Sequence, residues 1–343
     1  MTTKLRQDPM GRFAVVYEPG LARLPLLSGP GNGSADGGEQ SVACPFCPGN
    51  ERYCQFSIDQ FGEKKDWKLR VIPNRLPFFS VEGGEEAFPD GIYDINGGAG
   101  AHEVIIESPE HGLTPFAFTQ AQWCDIFTMT ARRLTDLRQD SRFQYVSFFR
   151  NFGVQAGAAL SHPHSQILAL PLVPPEVQQK LRAFHRHQEH KGRCLACDIV
   201  HHETSARKRI LAENESFVAM APYASRHPFE MHVYPRRHQG FFESMSPEEQ
   251  VLFSRIIADL MQKLQRVLAE PPFHMILFNR PVPAEGSRFH WHMEILPRVF
   301  AATALQEGTG IYMNPVTPEE VVKVAGSRPA QGFDDQIDDN GIG

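Results

Sequence analysis

The segment His162-Pro-His164-Ser-Gln166-Ile167 carries most of the information in this sequence. The residues that follow predict a β-strand, and side chains two residues apart on a strand face the same side of a sheet. His162, His164 and Gln166 are therefore expected to project together. A related segment near the C-terminus, His290-Trp-His292-Met-Glu294-Ile295, keeps both histidines but has a glutamate at the glutamine position.

The residues before these two segments repeat in the same order. Each His-x-His is preceded by a Cys-x-x-Cys pair and then by a lone histidine. The two sets are Cys44, Cys47, His111 and His162, and then Cys194, Cys197, His238 and His290. The two histidines of each set are 51 and 52 residues apart, whereas the gaps before them differ, at 64 and 41 residues. The recurring order predicts a tandem duplication.

Each set predicts a structural zinc site. Two thiolates and two imidazoles suit tetrahedral Zn²⁺ and close its coordination shell. Two alternatives stay open for each set: a Cys-x-x-Cys redox pair, and a decayed site that binds no metal. The remaining cysteines, Cys54 and Cys124, are expected to be ordinary packed or tolerated thiols.

His164 is the candidate nucleophile. With His162 bound to zinc, His164 would be held rigidly beside it. A neutral imidazole can attack phosphorus near pH 7 and leave again. Gln166 could donate a hydrogen bond to a phosphoryl oxygen, and the turn from Gly153 to Ser161 could add backbone N–H groups, with Ser161 predicted to contact substrate. The simpler interpretation of a His-x-His is a solvated strand or a metal pair.

The second half is expected to lack this chemistry. A carboxylate at Glu294 would repel a phosphate, so His292 is predicted to be dispensable for covalent catalysis.

Strand and helix patterns alternate along the chain. Apolar β-rich runs predict strands at 13–17, 68–72, 103–107, 145–149, 166–170, 217–220, 231–234, 274–278 and 293–296. Helices are predicted to begin at the Thr119/Gln122 capping box, at Ser246-Pro-Glu-Glu and at Thr317-Pro-Glu-Glu. A basic helix at 174–190 is interpreted as a linker.

The expected fold class is α/β (α+β), with tandem duplicated halves of mostly antiparallel sheet and packed helices. The predicted boundaries are 1–180 for a catalytic N-terminal half and 190–326 for a C-terminal half. A Gly-rich loop is predicted at 28–41 and a disordered tail at 327–343.

Composition excludes several classes. The 343 residues are 41% hydrophobic and 22% charged, as in globular proteins. No apolar run approaches the roughly 20 residues that span a bilayer, so no membrane partner is expected. The N-terminus lacks an apolar signal core, which favours a cytoplasmic protein. A net charge of −6 gives no global electrostatic footprint for nucleic acid.

At these motifs the sequence resembles the galactose-1-phosphate uridylyltransferase family, a double-domain branch of the histidine-triad superfamily. The resemblance covers about residues 4–325. The stretches that carry it are 44–50, 67–74, 102–111, 151–153 and 162–166. It implies histidine-triad-like halves and a nucleotidylated His164. It also implies that His162 binds the metal and that Gln166 contacts the phosphoryl group. It also implies that Asn151 lies by the phosphates and that Asn50 and Asn74 lie near the nucleoside.

Within this family, two features look like the branch that includes plant ADP-glucose phosphorylase. They are the stretch 307–316 and the complete Cys2His2 set of the second half. The family's Arg-x-x-Arg-Pro motif corresponds here to Leu21-Ala-Arg23-Leu24-Pro25, in which Leu21 and Leu24 replace the two motif arginines. Two cations near an anionic substrate are thereby lost.

The resemblance implies nucleotidyl transfer from an NDP-sugar through a nucleotidyl-histidine. The first expectation is a UDP-glucose–hexose-1-phosphate uridylyltransferase of galactose metabolism, with a UDP-sugar and a sugar 1-phosphate as substrates. One alternative is an ADP-glucose phosphorylase-like enzyme that uses an ADP-sugar and inorganic phosphate. A second alternative is a non-catalytic, zinc-stapled nucleotide-binding protein. A homodimer is also expected.

Overall fold

The computed structural model describes residues 2–7, 9, 13–18, 44–54, 56–84, 87–282 and 289–326. Their strands are β1 Thr2–Gln7, β2 Phe13–Glu18, β3 Asp59–Gly62, β4 Trp67–Pro73, β5 Ala87–Asp90, β6 Tyr93–Gly97, β7 Ala101–Ile106, β8 Tyr145–Phe152, β9 His164–Leu170, β10 Ile210–Glu213, β11 Phe217–Met220, β12 Met231–Pro235, β13 Phe273–Phe278 and β14 His292–Pro297. The helices are α1 Gln120–Leu137, α2 Pro175–Lys191, α3 Leu195–Ala206, α4 Pro247–Leu268, α5 Ala304–Thr309 and α6 Pro318–Gly326.

Ten strands form one antiparallel sheet in the order β10-β11-β12-β14-β13-β8-β9-β7-β4-β3. β8 and β13 pair at its centre. Outward from them, β9, β7, β4 and β3 follow on one side and β14, β12, β11 and β10 on the other. This order is symmetric, as a duplication predicts. A second sheet, β2-β1-β6-β5, lies outside the repeat. The predicted α+β class with mostly antiparallel sheets is confirmed.

One face of the large sheet, the core face, is covered by α1, α4 and α6. The predicted capping box at Thr119/Gln122 is present, and the predicted cap at Ser246 also forms a capping box, with Glu249. Alternate strand residues point into this core, including Ile105 and Ile167 in the first half and Ile295 in the second; all three are fully buried. Burial of this apolar layer is the main favourable contribution to folding.

The opposite face, the site face, differs between the halves. In the second half, α2 and α3 cover it through a cluster that includes Val177, Phe184 and Phe289. β14 is consequently buried at every position. β9 instead alternates between half-buried and buried residues. The site face is therefore accessible at β9 and sealed at β14.

The predicted strands and helices all occur close to their predicted bounds. The basic helix predicted at 174–190 is α2, which lies on the sheet rather than only connecting the halves. The boundaries 1–180 and 190–326 stay a prediction. The Gly-rich loop, the Leu21–Pro25 stretch and the tail at 327–343 lie outside the described residues. Within the described part of the chain, no helix combines the length and apolarity needed to cross a membrane.

Candidate functional site

The structure brings the first predicted metal set together. One ligand atom each from Cys44, Cys47, His111 and His162 lie within 4.8 Å of one another. The Cys47 Sγ atom is 3.3 Å from His111 Nδ1 and 3.6 Å from His162 Nδ1, and the two Nδ1 atoms are 3.3 Å apart. Ideal tetrahedral zinc bonds give edges of about 3.5 Å between S and N and about 3.3 Å between two N atoms. These residues therefore fit a tetrahedral metal ion.

The second set assembles in the same way from Cys194, Cys197, His238 and His290. Its S–N distances are 3.5 Å for Cys197–His290 and 3.8 Å for both Cys194–His290 and Cys197–His238. The two sites lie at equivalent places in the two halves, as the repeat predicts. Both sets could hold a metal ion.

The outer nitrogens of the first-site histidines are held by further contacts. His162 Nε2 lies 2.8 Å from the Ser108 carbonyl, and His111 Nε2 lies 3.0 Å from Ser161 Oγ. Such partners fix the ring so that Nδ1 faces the other candidate ligands of the cluster. Ser161, predicted to contact substrate, is thus placed beside a candidate metal ligand, and its substrate contact stays a prediction.

His164 is oriented by the backbone of the preceding histidine. Its Nδ1–H donates to the His162 carbonyl at 2.8 Å. Among the described residues none bonds its Nε2, so the lone pair there faces the site. Burial lowers the pKa of His164, which favours the neutral imidazole at physiological pH. The ring of Phe46, from the first Cys-x-x-Cys loop, packs edge-on against it at 5.5 Å.

Gln166 lies on the same side of β9 as His164, as the strand period predicts. Its Oε1 atom is 2.6 Å from His102 Nε2 and accepts a hydrogen bond from Asn74 Nδ2 at 3.3 Å. Asn74, predicted to lie near the nucleoside, is thus adjacent to the predicted phosphoryl-binding residue.

His102 was not singled out by the sequence analysis. It lies on β7 with Val104 and Ile106 on the site face, and that period-2 pattern was the available signal. Burial lowers the pKa of His102 to about 4, so the ring is neutral over the physiological range.

Asn151 lies near His164 across the sheet. Phe149 pairs with Gln166, and Asn151 is two residues further along the same strand, so it faces the same side one step nearer His164. The strand ends at Gly153, whose φ is +82°, and an added Cβ there would lie 2.8 Å from Pro272. Only glycine suits this turn.

Asn50 closes the first Cys-x-x-Cys loop, because its Nδ2 donates to the Cys44 carbonyl at 2.9 Å. This contact places Asn50 at the metal end of the site. Its predicted nucleoside contact stays a prediction.

The second-half counterpart is a sealed charged network. His292 is stacked between Tyr234 and Phe278, with ring centroids at 5.0 and 5.1 Å. Burial lowers its pKa to about 4. Its Nε2 atom lies 3.3 Å from the Glu294 carboxylate. The atom that is accessible in His164 thus faces a carboxylate in His292.

Glu294 is held by two cations. Lys180 of α2 bonds it at 2.7 Å and Arg226 also contacts it. Burial alone would raise the pKa of Glu294, but His232, His292 and Lys180 hold it well below its usual range. Glu230 and His232 complete this cluster. The site face here is filled by protein charges rather than open to a phosphate.

The described geometry supports one kind of chemistry. A neutral, oriented imidazole and a side-chain amide lie side by side on an accessible strand, next to a rigid Cys/His cluster. Such a pair can deliver a nitrogen nucleophile and a hydrogen-bond donor to the same phosphorus centre.

Comparison with known proteins identifies the family of this chain. Residues 99–329 match the family model described as Domain of unknown function (DUF4921). The chain is 31% identical to ADP-glucose phosphorylase of Arabidopsis thaliana, over 94% of this chain and 92% of the relative. It is 28% identical to galactose-1-phosphate uridylyltransferase of Thermotoga maritima, over 82% of this chain and 87% of that protein.

Solved structures show the same similarity. The crystal structure of an Arabidopsis thaliana ADP-glucose phosphorylase with bound ADP-glucose superposes with a TM-score of 0.76 at 29% identity, covering 96% of this chain and all of that one. A uridylyltransferase structure gives 0.79 at 26% identity, covering 94% and 97%. The chain therefore belongs to the DUF4921 family, whose match here is accompanied by similarity to ADP-glucose phosphorylase and to galactose-1-phosphate uridylyltransferases.

Proposed function

We propose that this enzyme transfers a nucleotidyl group from an NDP-sugar through a covalent intermediate on His164. The observation that carries the proposal is the His164 ring, with Nδ1 held by the His162 carbonyl and Nε2 facing an accessible strand surface beside Gln166. The equivalent ring in the second half is enclosed, so a single nucleophile per chain is expected.

The reaction has two displacements. In the first, the Nε2 lone pair of His164 attacks the α-phosphorus; an N–P bond forms, the P–O bond to the β-phosphate breaks, and sugar 1-phosphate leaves. In the second, a phosphate oxygen of the acceptor attacks the same phosphorus, and the N–P bond breaks. The electron pair returns to Nε2 and the neutral imidazole is restored. The Nδ1–H remains on the His162 carbonyl, which stabilises the positive charge that the ring carries while nucleotidylated.

Gln166 and Asn151 are the candidate contacts to the phosphates. A side-chain amide can donate to an oxygen whose negative charge grows in the transition state, which commonly contributes 10²–10³-fold in rate. Asn50 and Asn74 remain the candidates for the nucleoside.

Zinc is the metal that the donor sets favour, since two thiolates and two imidazoles at tetrahedral spacing are typical of structural Zn²⁺. Cys44, Cys47, His111 and His162 would hold one ion, and the second set would hold another. A bound ion would supply a rigid crosslink. Because His162 immediately precedes β9, that crosslink would hold the end of the strand that begins at His164.

For the acceptor we favour inorganic phosphate and, for the donor, ADP-glucose. The support is the similarity to ADP-glucose phosphorylase over 94% of the chain and the complete second Cys2His2 set. The second candidate is uridylyl transfer between UDP-glucose and galactose 1-phosphate. It is supported by the 28% identity to galactose-1-phosphate uridylyltransferase and by the uridylyltransferase structure. We retain the homodimer as a proposal.

The test is a matrix of two donors and two acceptors. Purified protein is incubated with ADP-glucose or UDP-glucose, each with phosphate or galactose 1-phosphate, and products are quantified. Turnover of ADP-glucose with phosphate supports the first candidate, and exchange between UDP-glucose and galactose 1-phosphate the second. Absence of both turnover and a protein–nucleotide adduct with either donor would refute the proposed function.

A further inference from the structure

The Gln166 side chain is held from one end only. Its Oε1 atom lies 2.6 Å from His102 Nε2 and 3.3 Å from Asn74 Nδ2. Among the described residues none bonds its NH2 group. The oxygen is therefore surrounded by donors, while the nitrogen end faces the open part of the site face.

The His102 tautomer follows from its own partners. The backbone N–H of Phe78 donates to His102 Nδ1 at 3.1 Å, so Nδ1 carries the lone pair and the ring hydrogen is on Nε2. Asn74 Nδ2 lies 3.1 Å from His102 Nε2, but it is itself a donor, because Asn74 Oδ1 accepts a hydrogen bond from the Leu76 N–H. The acceptor for Nε2–H is therefore Gln166 Oε1, at 2.6 Å. The Phe78 ring is stacked on the imidazole at 4.8 Å, and His102 is only 4% exposed, so the ring cannot easily turn.

A flipped Gln166 amide would be unfavourable. It would place an NH2 group against His102 Nε2–H and the Asn74 NH2, which leaves buried donors without acceptors. We infer that His102 is a positioning residue that fixes Gln166 with its NH2 toward the phosphoryl oxygen of the substrate. This inference rests on the proposed function, because it assigns the role of a residue in that reaction.

The second half supports coupling between these two strand positions. Its equivalents by sheet register are Glu230 for His102 and Glu294 for Gln166, since His232 pairs with Glu294 as Val104 pairs with Gln166. There Arg226 contacts both carboxylates. In the second half, the two carboxylates at these positions therefore bind the Arg226 guanidinium of the protein itself. The accessible half pairs neutral groups, so one end of the amide remains available.

A double-mutant cycle tests the inference. The rate of nucleotidyl-enzyme formation and the donor Kd are measured for wild type, His102→Phe, Gln166→Ala and the double variant. We expect Gln166→Ala to slow adduct formation about 10²–10³-fold. His102→Phe keeps the ring but removes the donor and should slow it about 10-fold to 100-fold, with donor Kd changed little. In the Gln166→Ala background, His102→Phe should add less than about twofold, because the group through which it acts is absent.

His102→Gln is the matched control, since its amide can place a donor near the Nε2 position, and it should recover most of the rate. Fully additive effects of His102→Phe and Gln166→Ala, or an equally slow His102→Gln in a protein with wild-type thermal stability, would overturn the positioning role. If His102→Phe does not fold, His102→Gln alone and combined with Gln166→Ala provides the same comparison. Absence of any adduct in wild type would instead refute the proposed function, and this inference with it.

Discussion

His162 and His164 are two residues apart, yet their ring nitrogens have different partners. His162 directs Nδ1 to the cysteines and Nε2 to the Ser108 carbonyl, so both nitrogens are used within the protein. His164 uses Nδ1 on the His162 carbonyl and keeps Nε2 for a substrate. One backbone carbonyl in each case sets which ring nitrogen stays available, and this separates the candidate metal ligand from the proposed nucleophile.

His164→Gly should abolish covalent catalysis. Removal of the nucleophile is expected to lower turnover by about 10⁴-fold or more and to eliminate the acid-labile, base-stable phosphoramidate adduct seen with donor alone. Exogenous imidazole should restore part of the turnover by filling the cavity. The metal content should stay unchanged, because His162 and not His164 is the ligand. Near-normal turnover would refute the nucleophile assignment, and metal loss would show that the two roles were exchanged.

His292→Gly provides the complementary prediction. The ring is enclosed between Tyr234 and Phe278 and faces Glu294, so it has no route to a phosphorus atom. Nucleotidyl-enzyme formation should persist in the folded fraction, although loss of a buried ring should lower the midpoint of thermal unfolding. Mass spectrometry of the donor-treated variant measures the adduct. Absence of the adduct in a protein with native circular dichroism would show that the chemistry had been assigned to the wrong half.

At the scale of elements, α2 decides that the two halves differ. β9 and β14 have equivalent positions, but α2 places Lys180 on Glu294 and packs Phe184 against Phe289. The helix thereby covers the face of β14 that corresponds to the accessible face of β9. Its exposed side remains polar, with Arg182 and Arg186 in solvent.

Lys180→Ala should weaken this helix contact. Glu294 keeps Arg226, but it loses one cation, and Phe278 loses the ammonium located 4.1 Å from its ring centre. We expect a loss of about 1–3 kcal/mol in the free energy of unfolding, with adduct formation at His164 unchanged. Urea denaturation measures it. Arg182→Ala, on the exposed side of the same helix, is the matched control and should change stability by less than about 0.5 kcal/mol. Equal effects of the two substitutions would contradict the assigned role of Lys180.

At the scale of the whole molecule, the two Cys/His clusters connect segments far apart in the chain. The first joins the loop at 44–47 to His162, just before β9, and the second joins the start of α3 to His290, just before β14. We expect elemental analysis to find close to two zinc ions per chain. Cys44→Ser should lose one ion and unfold at a lower temperature, because metal binding contributes to folding. Cys124→Ser, outside both clusters, should retain both ions. One ion or none in wild type would refute the two-site prediction.

Stability should decrease on mild acidification. Burial lowers the pKa of His102 and of His292 to about 4, whereas an unfolded chain binds a proton at each near pH 6.5. Below pH 6.5 the unfolded state therefore binds more protons, and the free energy of unfolding should fall by about 2 kcal/mol per histidine by pH 5. The folded pKa of Glu294 lies below its unfolded value of 4.5, so this carboxylate stabilises the fold above that pH. Its contribution is lost only as the pH falls below about 4.5.

Guanidinium denaturation at pH 7, 6 and 5 measures this slope, with metal content determined at each pH because zinc loss would act in the same direction. His102→Phe removes one of the two groups and should reduce the slope. A stability that does not change between pH 7 and 5 at full metal content would show that these rings titrate normally.

The sequence alone was sufficient for several features that depend on local order. Strand period placed His164 and Gln166 on one side, the capping boxes located the starts of α1 and α4, and the repeated Cys/His order grouped the eight candidate ligands. These features can be predicted from the sequence because they depend on residues close together in the chain or on residue types that have few other uses.

Only the tertiary structure determined which side chains contact Gln166 and Glu294. The contact of His102 with Gln166 joins strands 64 residues apart, and the Lys180–Glu294 pair joins residues 114 apart. Neither leaves a local pattern, because a histidine on a strand or a lysine on a polar helix has many equally good environments. Sheet register and helix packing select one of them. For that reason the sequence predicted which residues could react, and the fold determined which half is accessible.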